Sequence, residues 1–400
     1  MKSKSLQLCS TSLLAAICAV ACGSDDEGTP SLPASAADAV SNYADIVYAS
    51  YADSLAAAQE LDTAVQSFVD APSETGLAAA RTAWINSREP YLQTEVYRFY
   101  DGPIDNADDG PEGLINAWPL DENYIDYVID GEDDGIINDP DVAMADIDKD
   151  LIVGANEGID EKSISTGYHA IEFLLWGQDT DPNGPGDRPF TDYVVGDDGT
   201  AANQDKRGQY LRTVSELLVD NLQTLVDAWD PDGDDNYRAE FLALPPAEAM
   251  GKIMSGMIIL SGFETGGERV QAALDTHDQE DEHSCFSDNT HRDMVQDVRG
   301  VRNVWTGSYV RTNRMTVEGT SLRDVIAAGD ADVAQRISAR IDTSLSLAGD
   351  IEPPFDQEIA PGNAAGNARV EALAESLFEQ RVVLEEAFQV YGLTRIPDPE

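Results

Sequence analysis

The chain has 400 residues, of which 75 are Asp or Glu and 25 are Lys or Arg, so its formal net charge is −50 at pH 7. So acidic a chain lacks the basic surface that nucleic acid binding requires, which excludes that class of function and favours solubility and cation binding. Hydrophobic residues make up 42% of the chain, enough to build a core, which excludes a disordered acidic tail.

The first residues predict an export signal and not part of the fold. A basic start and a short apolar run precede Ala19-Val-Ala-Cys22, which resembles a bacterial lipobox. We therefore predict a lipoprotein signal peptide over residues 1–21, a lipid on Cys22 and a flexible linker over residues 22–35. The chain is then a cell-envelope lipoprotein, at the outer membrane, in the periplasm or on the cell surface, and its lipid is its only membrane contact. Secretion without a lipid is the alternative.

Apolar residues recur at helical spacing along most of the chain, and no convincing run of alternating strand residues appears. The sequence therefore predicts an all-α fold. Pro90 lies within the second helical pattern and is expected to kink that helix, because proline removes one backbone N–H bond. The predicted long helices span residues 36–69, about 74–95, 208–229, 246–263, 294–310, 321–347 and 369–391, and shorter ones span residues 117–128 and 142–153.

Two acidic, glycine-containing loops partly fit a calcium-binding pattern. In the first, Asp130, Glu132, Asp134 and Asp141 occupy positions one, three, five and twelve, with glycine at position six. In the second, Asp179-Thr-Asp-Pro-Asn-Gly184 repeats the front half. Neither loop has the glutamate expected at position twelve. Calcium is therefore a candidate cofactor, and the alternative is that both are ordinary acidic loops.

Residues 165–177 carry the strongest chemical signal. His169 and Glu172 stand three positions apart, so they are neighbours on one face if the segment is helical. Apolar residues surround them on nearly all sides, which is typical of a buried helix. A buried carboxylate needs a partner such as a cation, a metal or a network of donors. The pair either satisfies itself within a core or belongs to a metal site.

Three of the four histidines occur between residues 277 and 291, together with the only cysteine that remains after the predicted cleavage and lipidation. Imidazole, thiolate and carboxylate are the usual ligands of zinc, copper and iron, although this spacing matches no standard closed zinc site. We predict His283 as a site residue and Asp288 and His291 as supporting residues. Residues 287–289 are predicted to form a polar turn that caps the next helix.

Several ordered motifs resemble those of one known family. Gly167-Tyr-His-Ala-Ile-Glu172 matches the G-x-H-x-x-E signature of the imelysin family, which is also classed as the M75 peptidases. Five further blocks resemble the iron-regulated protein A branch of that family, and together they cover most of the chain after about residue 35. These blocks are residues 101–105, 110–122, 176–179, 188–193 and 283–291.

The resemblance implies an architecture as well as a function. It implies two helical-bundle halves in a pseudo-symmetric arrangement, with long acidic loops and with the motif helix near the interface. We place the boundary near residue 200, which gives an N-terminal bundle over residues 36–200 and a C-terminal bundle over residues 201–400. The family branch also implies a role in iron uptake, with envelope iron-transport components as partners.

We therefore predict a protein that binds iron or another divalent transition metal, as an ion or as a metal complex. Arg88 and Arg98 are unusual cations in so acidic a chain; they either pair with Glu89 or Glu95 at the surface or balance a buried carboxylate cluster. The predicted ligands are His169, Glu172, Glu264 and His283, and the predicted supporting residues are Arg88, Arg98, Tyr168, Glu268, Asp288 and His291.

Two alternatives remain open. An M75-type metallopeptidase would use His169 and Glu172 catalytically, and would need a third metal ligand such as Glu264 or His283, because a catalytic zinc has three protein ligands and a water. A calcium-stabilised surface scaffold or adhesion protein would instead use the acidic loops.

Overall fold

The computed structural model describes residues 31–129, 131 and 135–399. Nearly all regular structure in these residues is helical, so the all-α prediction is confirmed. The predicted signal peptide, the lipidation residue Cys22 and three acids of the first predicted calcium loop, Asp130, Glu132 and Asp134, lie outside the described residues. None of the helices in the described ranges combines the length and apolar composition that a membrane crossing requires.

Fifteen α-helices follow one another in the described part of the chain, together with short 3₁₀ turns, one π-helix and one small hairpin. The α-helices are α1 Ser35–Asp70, α2 Glu74–Leu92, α3 Glu112–Ile115, α4 Glu122–Ile125, α5 Lys149–Ala155, α6 Gly167–Trp176, α7 Gln204–Trp229, α8 Tyr237–Ala243, α9 Pro246–Ile259, α10 Ala272–Thr276, α11 Thr290–Thr306, α12 Leu322–Gly329, α13 Ala331–Gly349, α14 Phe355–Ile359 and α15 Ala364–Tyr391. The 3₁₀ turns are Glu95–Tyr97, Met144–Asp146, Phe190–Tyr193 and Gln279–Asp281; the π-helix is Leu260–Gln271, and the strands are β1 Ser308–Val310 and β2 Thr316–Glu318.

The long helices pack in two groups. In the first group α1 packs on α2 and α7, and α6 packs on α2 and α7; in the second, α15 packs on α13, on α9 and on the π-helix, while α11 packs on α13. One continuous core contains residues from both groups, and a smaller core lies within the second group. The boundary near residue 200 stays a prediction. Helices α7 and α8, which follow that residue, pack with the first group.

Several element boundaries differ from the predictions. The helix predicted over 142–153 begins only at Lys149, where the Asp148 side chain caps α5 by accepting the Leu151 N–H. The helix predicted over 294–310 stops at Thr306, because Gly307 takes a positive φ of 64° and the antiparallel pair β1–β2 follows. The helix predicted over 321–347 is two helices, since the Asp330 side chain accepts from two backbone N–H groups and caps α13. The helix predicted over 117–128 shrinks to α4, which begins after the Asp121 cap. Pro90 is accommodated within α2, which continues to Leu92.

Helix α9 continues directly into the π-helix, whose wider turns are common near functional sites. Small residues in this continuous helix permit a close backbone approach. A Cβ atom at Gly256 would lie 2.7 Å from the Val96 carbonyl oxygen and 2.9 Å from that of Arg98. The second helix group is thereby brought against the 3₁₀ turn that follows α2.

Candidate functional site

Helix α6 carries the G-x-H-x-x-E motif and is buried along its entire length. Gly167 begins the helix with a φ of +80°, and a Cβ atom there would lie 2.4 Å from the Ile115 carbonyl oxygen. Only glycine fits this combination of left-handed backbone and close approach. Trp84 of α2 donates its indole N–H to the Tyr168 carbonyl oxygen at 2.9 Å, which fixes the first turn from the other side.

The motif's imidazole and carboxylate are in direct contact in a dry interior. His169 and Glu172 are both 0% exposed, and His169 Nδ1 lies 2.9 Å from Glu172 Oε2. The other oxygen of Glu172 accepts the backbone N–H of Ser287 at 3.0 Å and its hydroxyl at 2.6 Å. His169 Nε2 is buried and has no hydrogen-bond partner among the described residues.

A second imidazole faces the first from the turn before α11. The rings of His169 and His283 meet edge to face, with centroids 4.9 Å apart and planes 71° apart. His283 Nδ1 contacts Asp293 Oδ2 at 2.7 Å, and the same oxygen accepts the Ser284 hydroxyl at 2.6 Å. His283 Nε2 lies 3.5 Å from Asn116 Nδ2, which is at the upper limit for a hydrogen bond. The Nε2 lone pair therefore makes at most a weak hydrogen bond. Both histidines thus have Nδ1 held by a carboxylate.

Burial determines the protonation of this site. Burial lowers the pKa of His169 and His283 well below the ordinary value, and the positive charge of Arg88 lowers both further. Both contacts between imidazole and carboxylate have ion-pair distances, yet we regard them as hydrogen bonds of neutral rings. Burial also raises the pKa of Glu172 to about 8, although Ser287 and Arg88 act in the opposite direction. Below that pH the Glu172 proton lies on Oε2, because Oε1 already accepts two donors.

Arg88 is the buried cation of the site. It is 0% exposed; its guanidinium donates to Asn116 Oδ1 and lies 3.5 Å from Asp293 Oδ2. Its Cζ atom lies 4.9 Å from the centre of the Tyr168 ring. Arg88 therefore faces a buried carboxylate, that of Asp293, as the counter-charge alternative predicted. It does not pair with Glu89, which contacts Arg292.

A cavity of about 320 Å³ reaches His283 from the junction of the two helix groups. Its walls hold two arginines that are each shared among several carboxylates. Arg98 contacts Glu95, Glu112 and Glu264 at 2.8, 3.1 and 3.6 Å. Arg269 contacts Glu95, Glu264 and Asp297 at 2.6, 2.8 and 3.1 Å. The lining residues are Arg98, Glu112, Asn116, Ala117, Trp118, Pro119, Glu157, Glu161, Glu264, Glu268, Arg269 and His283.

The structure brings together only part of the predicted ligand set. His169, Glu172 and His283 lie side by side, but both Glu172 oxygens are engaged and Glu264 is shared between two arginines. Within the described ranges, the only group of three or more His, Cys, Asp or Glu ligand atoms within 4.8 Å of one another is Asp179, Asp288 and Asp356. The four predicted ligands therefore do not converge as free donors, because hydrogen bonds and ion pairs already occupy two of them.

Some of the predicted supporting residues lie at the histidine pair or its cavity, and others do not. Tyr168 packs on Arg88, and Glu268 lines the cavity. Asp288 does not support the histidine pair with its carboxylate, which lies with Asp179 and Asp356. His291 Nδ1 contacts the Asp288 carbonyl oxygen at 3.1 Å.

Sequence reasoning missed the residues that hold the two rings in place. The predicted capping role of residues 287–289 is wrong for the side chains, since α11 has no side-chain cap and Ser287 donates to Glu172. Asp293, which accepts from or donates to His283 Nδ1, was missed because it stands two residues beyond the last motif block. The Trp118 ring packs on the His169 ring with centroids 4.9 Å apart. The blocks that resemble the family contain Ser284, Ser287, Asn116 and Trp118, so the sequence did point to these residues.

Comparisons with known proteins relate the chain to one family and one fold. The family model described as imelysin, peptidase M75, matches residues 47–384. The iron-regulated protein A of Synechococcus elongatus is 25% identical over 327 residues, which is 79% of this chain and 75% of that protein. The crystal structure of an iron-regulated protein A precursor from Parabacteroides distasonis superposes with a TM-score of 0.66 at 19% identity, covering 90% of this chain and 99% of that one. An imelysin-like protein from Psychrobacter arcticum gives 0.61 at 14% identity, covering 92% and 99%.

Proposed function

The chain belongs to the imelysin family, also classed as peptidase M75, and from that premise we propose that it binds iron or another divalent transition metal at His169 and His283 and takes part in iron uptake at the cell envelope. The match to the family model confirms the resemblance that the motifs predicted. The names of the Synechococcus and Parabacteroides relatives mention iron regulation, which is the reason for placing iron first among the metals.

The observation that carries the proposal is the buried, unpartnered Nε2 of His169 beside a second imidazole. A buried nitrogen without a partner costs free energy, so its retention favours a ligand that the nitrogen binds. Metal-bound histidines usually have their other ring nitrogen tied to a carboxylate or a carbonyl. His169 and His283 both have that arrangement, through Glu172 and Asp293. Two neutral imidazoles suit iron, zinc, copper or nickel.

Two nitrogens do not complete a coordination shell, which favours a metal that arrives with other ligands. The cavity of about 320 Å³ beside His283 has room for water or a small chelator. Its arginines and carboxylates could hold the polar groups of such a chelator by charge-assisted hydrogen bonds. We therefore include a small metal complex, as well as the free ion, among the proposed ligands.

The envelope location is a separate part of the proposal. The lipobox ending at Cys22 supports a lipid anchor, through which alone the protein would contact the membrane, and envelope iron-transport components are the proposed partners. Cys22→Ala should release the protein from the membrane fraction of expressing cells. Retention of the variant in that fraction would contradict the anchor but leave the metal site unaffected.

Metal binding is tested with the full mature chain after removal of bound metals. We expect one divalent transition metal per chain by calorimetry and elemental analysis, with Fe²⁺ measured without oxygen and Zn²⁺ measured in parallel. His169→Ala and His283→Ala should each lose this binding, whereas His277→Ala, which changes a surface histidine, should retain it. If both site variants bind the same metal at the wild-type stoichiometry, the pair is not the site.

The metallopeptidase alternative derives from the family's peptidase label. It would require a third protein ligand and a general base that reaches a metal-bound water. Glu172 is fully buried, and its two oxygens contact Ser287 and His169, which favours a positioning role. Metal-dependent turnover of casein or a fluorogenic peptide that disappears in Glu172→Gln would support this alternative. A scaffold role stabilised by calcium would rest on the acidic site described next.

A further inference from the structure

A cluster of buried carboxylates lies apart from the histidine pair. Asp179 belongs to the loop after α6, Asp288 to the turn before α11, and Asp356 to the first turn of α14. One oxygen from each lies within 4.8 Å of the others. The side chains of Asp179 and Asp356 are only 3% and 5% exposed, so three segments distant in sequence bring negative charge to one enclosed point.

These carboxylates have no cationic partner. None of the ion pairs among the described residues includes Asp179, Asp288, Asp356 or the adjacent Glu282. No N–H or cationic donor of the described residues reaches either oxygen of Asp356, or one oxygen each of Asp179 and Asp288. Glu282 is 0% exposed, and its carboxyl lies against the Asp356 carboxyl and near the Thr290 hydroxyl. Buried charges are normally paired or bound to a metal, so this arrangement of acids favours a bound cation.

Neutral contacts already arrange the three segments around that point. The Gly186 backbone N–H donates to the Phe286 carbonyl oxygen at 3.0 Å, which joins the loop after α6 to the turn before α11. The Gln357 amide donates to the Pro182 carbonyl oxygen at 2.5 Å, which joins α14 to the same loop. The carboxylates are therefore held together by surrounding structure despite their mutual repulsion, as in a preformed ion site.

We propose that Asp179, Asp288 and Asp356 bind a calcium ion that joins the loop after α6, the turn before α11 and helix α14. All three donors are oxygen, which suits a hard cation and not a transition metal. Calcium is favoured over magnesium because it accepts irregular oxygen cages, whereas magnesium demands regular octahedral geometry and keeps its water. Burial and mutual repulsion raise the pKa of Asp288 to about 7 and that of Asp179 to about 6, in keeping with uncompensated charge.

The site corrects and extends the sequence analysis. The second acidic loop does supply a residue of the cluster, Asp179, but its partners come from two other segments and not from positions further along the same loop. Asp288 follows Ser287, which donates twice to Glu172, and has a φ of +57°. An ion bound to Asp288 would thus help to hold the backbone that positions Glu172.

The test uses the full mature chain, treated with a chelator and then titrated with CaCl₂. We expect one Ca²⁺ per chain by calorimetry, and an increase in Tm of about 3–6 °C at a concentration about 100 times Kd. Asp179→Asn and Asp356→Asn should each lose both effects. Asp141→Asn, which changes an exposed acid of the other predicted calcium loop, should retain them, as should His169→Ala.

A measurement in chelator separates ion binding from a failure to fold. Asp356→Asn removes one of several mutually repelling carboxylates, so without calcium the variant should melt no lower than the wild type. A variant that melts well below the wild type in chelator would identify the cluster as a hydrogen-bonded group of protonated acids and overturn the proposal. An equal Tm increase with Mg²⁺, or calcium binding that Asp356→Asn leaves intact, would also overturn it.

Discussion

Ser287 donates both its backbone N–H and its hydroxyl to the same oxygen of Glu172, at 3.0 and 2.6 Å. Only the other oxygen of Glu172 then remains to face Nδ1 of His169. At the proposed metal site we therefore infer a positioning role for Glu172, which the motif alone predicts as a metal ligand. In that role Glu172 selects the nitrogen of His169 that carries the hydrogen. This relationship leads directly to two predictions about metal binding.

Replacing Glu172 by glutamine should weaken metal binding without unfolding the protein. The new amide oxygen would take the position that accepts from Ser287, so the NH₂ group would face His169 Nδ1 and leave the hydrogen on Nε2. Because a protonated nitrogen cannot bind a metal, we expect the affinity for a divalent transition metal to fall about 10–100-fold by calorimetry. Glu216→Gln, at an exposed position, is the control. Equal affinities of Glu172→Gln and wild type would contradict the positioning role.

Metal affinity should depend on pH through the same carboxyl group. The pKa of Glu172 is raised to about 8, chiefly by burial. Below that pH the carboxyl proton faces His169 Nδ1, so binding at Nε2 must release one proton; above it, the carboxylate already accepts Nδ1–H. The affinity should therefore increase from pH 6 to about 8 and then level off. Calorimetry in buffers of different ionisation enthalpy counts the released protons, and a flat profile in the wild type would contradict this account.

The sequence was sufficient to predict the fold class and the motif helix. The apolar surround of His169 and Glu172 predicted a buried helix, and α6 is buried at every position. Periodicity placed the long helices because each has one apolar face. Periodicity did not predict β1 and β2, because each strand has three residues and an alternating pattern cannot be recognised over so short a stretch.

The site was harder to predict because its contacts are long-range. Spacing along the chain relates His169 to Glu172, but nothing in the local sequence relates Glu172 to Ser287 or His169 to His283. A run of polar residues before a helix has the same sequence pattern whether or not its hydroxyl groups cap the helix. Ser287 was therefore predicted to cap α11, although its hydroxyl donates to Glu172. The cluster of Asp179, Asp288 and Asp356 was not predicted, because its members come from three segments that are distant in the sequence.

Gly167 should tolerate no side chain, because two independent constraints act on it. Its φ of +80° disfavours any residue with a Cβ atom, and that atom would lie 2.4 Å from the Ile115 carbonyl oxygen. We expect Gly167→Ala to lower the free energy of unfolding by at least about 1–3 kcal/mol, as measured by urea denaturation. Gly154 is the matched control: it lies within α5, and a Cβ atom there would meet nothing within 4 Å. Gly154→Ala should stabilise the protein by about 0.4–1 kcal/mol, and equal effects of the two substitutions would contradict the packing account.

Glu95 should contribute stability that is lost in acid. It is 0% exposed and contacts Arg98 at 2.8 Å and Arg269 at 2.6 Å. Burial alone would raise its pKa, but the two guanidinium groups outweigh burial and hold the pKa well below the ordinary value of 4.5. The unfolded chain therefore takes up the proton at a higher pH than the folded chain does. The contribution is complete above the unfolded value, and it declines as the pH falls below about 4.5 toward the folded value.

Glu95→Gln should accordingly lower the free energy of unfolding by about 3–5 kcal/mol at pH 7, because it leaves the buried Arg269 and the partly buried Arg98 short of a charge partner. The difference from the wild type should shrink when urea denaturation is repeated at pH 3.5. Asp342→Asn removes an exposed partner of Arg302 and should cost no more than about 1 kcal/mol at either pH. A deficit of the Glu95 variant that stays constant between the two pH values would mean that shape and packing, and not the ion pairs, account for this residue at the junction of the two helix groups.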